Sequence, residues 1–177
     1  KMSINYLFLK GYYDGNGKNT VEARTIVREI VNLLKQPEEQ PISIGVVTVT
    51  EEQRDWILQL LNENFQKDAM LELADKRLLK PISVDSLDSL RPNEFDYVFF
   101  SVVYGTDQMG REALYFGTLS KKDGWKKLNL ALAKARRAWK IVSILHPKQI
   151  LLFRYHARGV ADLKALLEFC QAHQNEI

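Results

Sequence analysis

The sequence contains a single cysteine, Cys170, among its 177 residues. One cysteine cannot form an intramolecular disulfide or a cysteine-type metal cluster, so we expect it to be a small buried apolar side chain. The three histidines, His146, His156 and His173, lack the spacing of metal ligands. The sequence therefore predicts neither a disulfide framework nor a metal site.

Long apolar runs are also missing: none approaches the roughly 20 residues that a membrane-spanning helix needs. No charged-then-apolar signal segment opens the sequence either. Together these absences predict a cytoplasmic protein that has no membrane partner. The charge balance is nearly even, with 25 basic and 22 acidic residues and a net charge of +3. Such a balance permits a nucleic-acid partner but does not argue for one.

A complete Walker A motif is absent, although the segment LKGYYDGNGKNT at residues 9–20 resembles one. A Walker A motif has a glycine, four residues, Gly-Lys and then Ser or Thr. Counting back from Gly17, the first glycine position holds Tyr12, and Asn19 replaces the hydroxyl residue that binds magnesium. A self-contained nucleotide-binding protein built on this loop therefore fails on spacing. We interpret the loop as a flexible strand–helix connection, with Gly15 and Gly17 as turn residues at positive φ.

What is present is a regular alternation of strand and helix patterns. The predicted strands cover residues 6–9, 43–49, 82–84, 97–103 and 138–145. The predicted helices begin at residues 19 and 50 and cover about residues 69–76, 122–137 and 159–173. This order predicts one α/β domain over residues 1–177, with a mainly parallel sheet in a three-layer α/β/α arrangement.

Two of the predicted helices start with the pattern of a capping box. Asn19 precedes Glu22 by three residues, and Thr50 precedes Gln53 by three residues. In this motif the first side chain binds the backbone of the fourth residue, whose own side chain reaches back to the cap. The sequence therefore predicts reciprocal caps at both helix starts.

Three further segments carry a family resemblance that covers nearly the whole chain. GVVTVTEEQRDW (residues 45–56), VDSLDSLRPNEFD (84–96) and GWKKLNLALAKARR (124–137) are similar to motifs IV, V and VI of superfamily 1 DNA/RNA helicases. The chain resembles the second, C-terminal RecA-like domain of large bacterial helicases of this superfamily. The resemblance implies a RecA-like P-loop NTPase fold without a Walker A motif of its own, as part of a larger protein.

In that family, ATP and Mg²⁺ lie between two RecA-like domains, and the first domain carries the Walker motifs. The resemblance therefore implies that this chain needs an N-terminal RecA-like domain in cis and does not hydrolyse ATP alone. It implies one half of an ATP-dependent helicase or translocase, with single-stranded DNA or RNA as partner.

The resemblance also assigns candidate ATP-binding residues. Arg54 falls on the motif IV position that reaches the γ-phosphate, with Gln53 beside it, although both also suit the first turn of a capped helix. Glu94 matches the motif V glutamate that contacts nucleotide. Lys134 stands at the arginine-finger position of motif VI, and Arg136 matches a later arginine of that motif. Arg54 and Lys134 are the candidate catalytic cations.

The nucleic-acid side of the domain is assigned in the same way. Thr48, Ser86 and Tyr104 follow or end predicted strands, and the resemblance places them toward the nucleic-acid backbone. Tyr104 is expected to be exposed. Tyr115, by contrast, is expected to belong to the core.

Several substitutions depart from the family pattern. Arg91-Pro92 replaces Gln-Gly in motif V, and proline has no N–H to offer a ligand. Lys134 replaces the finger arginine and Ala133 the preceding threonine, which removes the planar fork that grips phosphate. These changes motivate an alternative, in which a degenerate, non-catalytic helicase-like domain acts as a nucleic-acid or protein interaction module.

Overall fold

A computed structural model describes residues 2–36 and 39–173. Its central feature is a five-stranded sheet in the order β1-β7-β4-β2-β3, in which every neighbouring pair is parallel. These strands are β1 (Ser3–Phe8), β2 (Ile44–Thr48), β3 (Ser83–Ser86), β4 (Phe95–Ser101) and β7 (Ala135–Ser143). A two-stranded antiparallel ribbon pairs β5 (Gly105–Thr106) with β6 (Glu112–Ala113).

Helices cover both faces of the sheet. They are α1 (Thr20–Lys35), α2 (Glu51–Lys67), α3 (Ala69–Lys76), α4 (Gly124–Leu132) and α5 (Arg158–Ala172). The first three lie together on one face, and α4 and α5 lie on the other. The predicted three-layer α/β/α arrangement with a parallel sheet is therefore confirmed.

The central strand β4 has a mostly apolar sequence without alternation because helices cover both of its faces. Phe99 packs under α1 and α2, while Val98 and Phe100 face α4 and α5. Phe100 stacks on Trp139 of β7 with ring centroids 5.2 Å apart. A strand covered on both faces buries most of its side chains, and in β4 only Asp96 and Tyr97 are half-buried, so from Val98 onward the strand has no polar–apolar alternation.

The boundary between α4 and β7 differs from the sequence prediction. The helix was expected to continue to residue 137, but it ends at Leu132, and the strand begins at Ala135 rather than at residue 138. Pairing with β4 is the reason, because Phe95 donates its backbone N–H to the Lys134 carbonyl at 2.8 Å. Lys134 therefore lies in the junction between helix and strand, and Arg136 lies on a strand.

Cys170 is buried on α5, as expected of a small apolar side chain, and burial raises the pKa of its thiol to about 11. Within residues 2–36 and 39–173, no three His, Cys, Asp or Glu side chains gather closely enough to hold a metal ion. Every helix in the same ranges is too short or too polar to cross a membrane.

Gly159 at the start of α5 fixes how that helix meets α4. A Cβ atom there would lie 2.6 Å from the Leu119 carbonyl oxygen and 3.0 Å from the Trp125 backbone nitrogen. Because both neighbours are backbone atoms, Gly159→Ala is expected to destabilise the fold by about 2 kcal/mol or more, despite the better helix propensity of alanine. Urea unfolding of the chain measures this difference.

Gly110→Ala is the matched control, since the added methyl group meets open space and only the positive φ of 78° is strained. Its expected loss is about 1 kcal/mol. Equal losses of unfolding free energy in the two variants would show that the close backbone contacts at Gly159 do not destabilise the alanine variant.

Candidate functional site

The glycine-rich loop between β1 and α1 is tied down by side chains at the sheet's carboxyl edge. Gly17 donates its N–H to the Tyr13 hydroxyl at 2.7 Å and accepts from the Thr50 hydroxyl at 2.6 Å. Gly15 and Gly17 have φ angles of 87° and 73°, as predicted for turn residues. The loop is thus hydrogen-bonded in place, contrary to the expectation of a flexible connection, and the Gly17 N–H is not open to a phosphate.

The caps of α1 and α2 are joined to each other. Asn19 accepts from the Glu22 N–H at 3.0 Å, and Thr50 accepts from the Gln53 N–H at 3.2 Å, as predicted. The return contact differs from the prediction: the Asn19 N–H donates to Gln53 Oε1 at 2.8 Å, not to Glu22. Gln53 Nε2 donates to the Asn19 carbonyl at 2.8 Å. Gln53, a candidate ATP-binding residue, is therefore fully buried and bridges two helix starts.

Glu22 is instead directed into the sheet. Its Oε1 accepts from the Ser101 hydroxyl at 2.7 Å and from the Val103 N–H at 2.8 Å, and its Oε2 accepts from Asn19 Nδ2 at 2.9 Å. Complete burial raises the pKa of Glu22 to about 8, against the opposing effect of hydrogen bonds that include those from Val103 and Ser101. In the sequence, the spacing from Asn19 marks Glu22 only as part of a capping box.

The Glu22 carboxyl group stabilises an unusual turn at Val103, just after β4. Val103 has a φ of 73°, and the Tyr104 N–H donates to the Val102 carbonyl at 2.9 Å, which closes a three-residue γ-turn. A β-branched residue at positive φ is strained. Asn19 Nδ2 also donates to the Val103 carbonyl at 2.8 Å, so both backbone groups of the strained residue are fixed from α1.

Arg54 lies in the first turn of α2, near the end of β3. Its Nε is 3.0 Å from Asp55 Oδ1, and its Nη1 donates to the Ser89 hydroxyl at 3.4 Å. The pKa of Arg54 is raised, first by the hydrogen bond to Asp55 and then by neighbouring carboxylates that include Asp85. The guanidinium is therefore a permanent cation beside the segment that follows β3.

A surface cavity of about 630 Å³ gathers three of the predicted ATP-binding residues, Glu94, Lys134 and Arg136. It is lined by Lys80, Leu90, Arg91, Pro92, Asn93, Glu94, Leu130, Ala133, Lys134 and Arg136. Arg136 projects from β7 with its Nε 3.9 Å from Glu94 Oε2. Gln53 and Arg54 lie outside this cavity.

Lys134 is only 5% exposed. Its ammonium donates to the Arg91 carbonyl, to Asn93 Oδ1 at 2.8 Å and to the Asn93 carbonyl at 3.3 Å. Burial lowers the pKa of Lys134, and the charge of Asp85 acts against that effect. The residue at the arginine-finger position thus holds the 91–93 loop to the start of β7.

Arg91 has the opposite placement. Its side chain is 61% exposed and lies on Asp85, with Nη2 3.0 Å from Oδ1 and Nε 3.2 Å from the same oxygen. Nη2 also donates to the Ser83 hydroxyl at 2.9 Å. In the sequence, Arg91 stands out only as a departure from the family pattern. The signal for a role at the site is its position three residues before Glu94, a candidate ATP-binding residue.

The three candidate nucleic-acid residues lie at the carboxyl edge of the sheet, but they are buried. Thr48 donates to the Thr50 carbonyl at 2.6 Å, and Ser86 shares a 3.0 Å hydrogen bond with Ser89. Tyr104 is 7% exposed, so the expectation that it is exposed is wrong.

Neighbouring rings explain the burial of Tyr104. Tyr13 and Phe116 lie with ring centroids 5.6 Å and 6.1 Å away. Tyr115, expected in the core, is 74% exposed and meets Tyr104 edge-on at 6.2 Å. Tyr115 follows the β5–β6 ribbon rather than lying within a central strand, so it is the aromatic side chain that reaches the surface here.

Comparison with known proteins assigns this arrangement to a family. The model of the AAA_12 family, described as an AAA domain, matches residues 10–145. The chain belongs to this AAA domain family. The match includes Glu22, Gln53, Arg54 and every residue of the cavity, and the parallel sheet between helical layers is the RecA-like fold.

Two curated relatives agree with this assignment. The chain is 23% identical over 165 residues, or 90% of its length, to an uncharacterized ATP-dependent helicase, the MG140 homolog of Mycoplasma pneumoniae. It is 31% identical over 130 residues, or 73% of its length, to the regulator of nonsense transcripts 1 homolog of Arabidopsis thaliana. The matches span only 14% and 9% of those proteins. The AAA domain described here is thus a superfamily 1 helicase-like domain.

Proposed function

We propose that this AAA domain is the C-terminal RecA-like unit of an ATP-dependent nucleic-acid helicase or translocase. The observation that carries the proposal is that the segment between β3 and β4 contacts both Arg54 and Lys134. Ser89 of this segment contacts Arg54, and two residues later the Arg91 carbonyl accepts from Lys134. The motif IV cation and the motif V–VI cavity therefore adjoin one stretch of chain, which forms the ATP-facing side of the domain.

The chemistry of this side suits the polyphosphate of a nucleotide. Arg54, Arg91, Lys80 and Arg136 place four cations along it, and guanidinium groups bind phosphate oxygens through paired N–H donors. ATP with Mg²⁺ supplies the γ-phosphoryl group that is transferred to water. We assign the Walker motifs that hold ATP and Mg²⁺ to a first RecA-like domain in cis. Arg54 of this domain then neutralises negative charge on the γ-phosphate from the side facing away from those motifs.

Single-stranded DNA or RNA is assigned to the carboxyl edge of the sheet. Thr48, Ser86 and Tyr104 shape that edge from within, because their side chains are buried. The exposed ring of Tyr115 offers a face on which a base can stack. Ser86 shares a hydrogen bond with Ser89, which contacts Arg54, so the nucleic-acid edge adjoins the ATP-facing side of the domain. Such adjacency suits an ATP-driven translocase.

A second candidate function is favoured by Lys134. Its ammonium is occupied by three oxygen acceptors of the 91–93 loop, and Pro92 has no N–H to offer a ligand. If the residue at the arginine-finger position only holds a loop in place, the domain fits a non-catalytic nucleic-acid or protein interaction module.

The experiment that separates these functions is ATP hydrolysis by the full-length protein that carries this domain, with and without single-stranded DNA or RNA. The motor function predicts turnover that nucleic acid stimulates. A folded full-length protein that binds single strands in fluorescence anisotropy without any turnover would overturn the motor function and establish the interaction module.

A further inference from the structure

We propose that Arg91 supplies the second cation that meets the terminal phosphate of the nucleotide, in place of the residue at the arginine-finger position. The proposal rests on the function proposed above. It assigns Asp85 as the positioning residue that holds Arg91 in place.

Lys134 cannot easily provide this contact. Its three hydrogen-bond positions are filled by two carbonyls and the Asn93 side-chain oxygen, and only 5% of the residue reaches solvent. An ammonium has three donors, so a phosphate oxygen could be bound only after one of these contacts is broken. That would release the loop that follows Leu90.

Arg91 combines exposure with a fixed orientation. Its contacts to Asp85 and Ser83 use Nε and Nη2. Within the described part of the chain, Nη1 has no hydrogen-bond acceptor, so its two N–H groups are open to a ligand. Asp85 is 7% exposed, which makes it a rigid support for the guanidinium.

Asp85 also relates Arg91 to Arg54. Its carboxylate is within electrostatic range of the Arg54 guanidinium while it is bonded to Arg91. Arg54 is connected to the same side of the domain through Ser89, two residues before Arg91. The two guanidinium groups therefore lie along the same segment, which runs from β3 to the residues that follow it, on the side of the domain to which ATP is assigned above.

Arg91 would act without forming a covalent bond. Hydrolysis joins a water oxygen to the terminal phosphorus and breaks the bond from that phosphorus to the bridging oxygen, and the water proton passes to solvent. Nucleoside diphosphate and inorganic phosphate leave. The open Nη1 donors of Arg91 neutralise negative charge on the terminal phosphate oxygens, both before and during this transfer.

Equilibrium binding by the full-length protein tests the proposal without relying on turnover. The dissociation constants of fluorescent ADP and of a fluorescent, non-hydrolysable ATP analogue are measured in the presence of Mg²⁺, and their ratio reports the contact to the terminal phosphate. Arg91→Ala and Arg91→Gln are expected to reduce the preference for the triphosphate about tenfold or more, because a charge-assisted hydrogen bond is lost. Arg91→Lys keeps the charge and is expected to reduce it less.

The controls distinguish a phosphate contact from a structural ion pair. Asp85→Asn removes the carboxylate that positions Arg91 but leaves the guanidinium and its open donors, so it is expected to reduce the preference clearly less than Arg91→Ala does. A purely structural role predicts equal losses for the two variants. Lys126→Ala removes an exposed cation on α4 that is paired with Asp123, and should leave the ratio unchanged.

Three results would overturn the proposal. Equal losses in Asp85→Asn and Arg91→Ala would reduce Arg91 to an ion-pair partner. An unchanged ratio in Arg91→Ala would remove Arg91 from the phosphate site, and a lost preference in Lys134→Met would then return the role to Lys134. A wild-type protein that binds neither nucleotide would overturn the proposed function itself and this assignment with it.

Discussion

Arg54→Ala in the full-length protein is expected to lower the rate of nucleic-acid-stimulated ATP hydrolysis about 10³-fold. Arginines that stabilise the charge of a transferring phosphoryl group contribute about 10³ to 10⁵ in rate. Arg54 has the required properties, because its guanidinium is about one quarter exposed and is held by Asp55 and Ser89. Steady-state turnover at saturating ATP and saturating single-stranded nucleic acid measures the effect.

Two control variants separate this loss from a folding defect. Arg54→Lys keeps the charge but loses the planar fork, so its turnover should lie between those of the wild type and Arg54→Ala. Arg28→Ala removes an exposed arginine from α1 and should retain wild-type turnover. The Arg54 contacts are partly solvated, so the free energy of unfolding should change by less than about 1 kcal/mol. Wild-type turnover in Arg54→Ala would remove this residue from the phosphate site.

Glu22→Ala is expected to lower the free energy of unfolding of the chain by about 3 to 5 kcal/mol. The change removes the acceptor for three buried donors, on Ser101, Val103 and Asn19. Each buried donor that loses its partner destabilises the fold by about 1–3 kcal/mol. The strained φ of Val103 also loses its support. Urea unfolding followed by circular dichroism measures the loss.

Glu29→Ala is the matched control on the same helix. Glu29 is half-buried, and its carboxylate lies 3.9 Å from the Lys140 ammonium. The expected loss there is below about 1 kcal/mol. A loss of similar size in both variants would mean that the contacts of Glu22 beneath the turn add no stability.

Glu22 also makes the free energy of unfolding depend on pH. Burial raises the pKa of Glu22 to about 8, whereas an unfolded glutamate titrates near pH 4.3. Between these values the folded state retains a proton that the unfolded state has released. Stability from this group is therefore fully present below about pH 4 and is lost as the pH rises toward 8, by about 1.4 kcal/mol per unit.

Glu22→Gln cannot ionise, so its free energy of unfolding should lack this slope. Urea unfolding of both proteins at several pH values between 5 and 9 compares them directly. Parallel profiles would show that Glu22 is ionised in the folded state throughout this range.

The large elements of the fold were predictable because their signals are local. Continuous apolar runs marked β2 and β4, and Asn19 and Thr50 marked the starts of α1 and α2. The end of α4 was not predictable, since alanine, lysine and arginine suit a helix as well as the start of a strand. Pairing of Phe95 with Lys134 decided that boundary.

For the candidate site residues, too, the sequence indicated which residues belong to a site but not how their side chains are placed. The resemblance to superfamily 1 helicases put five residues in one ATP site: Gln53, Arg54, Glu94, Lys134 and Arg136. The cavity brings Glu94, Lys134 and Arg136 together, while Gln53 and Arg54 lie outside it. The resemblance gave no information on the direction of their side chains. Tyr104 was expected at the surface and is covered by the rings of Tyr13 and Phe116.

The sequence by itself determined the α/β layering and the family, because helix periodicity, strand runs and motif register are all written within short windows of the chain. Only the tertiary structure decided that Lys134 is enclosed, that Arg91 lies exposed on Asp85, and that Glu22 supports a strained turn. The physical reason is distance along the chain. Glu22 finds its partners 79 and 81 residues away, and Lys134 finds its partners 41 and 43 residues away. The fate of a buried charge depends on acceptors that only the folded chain brings together.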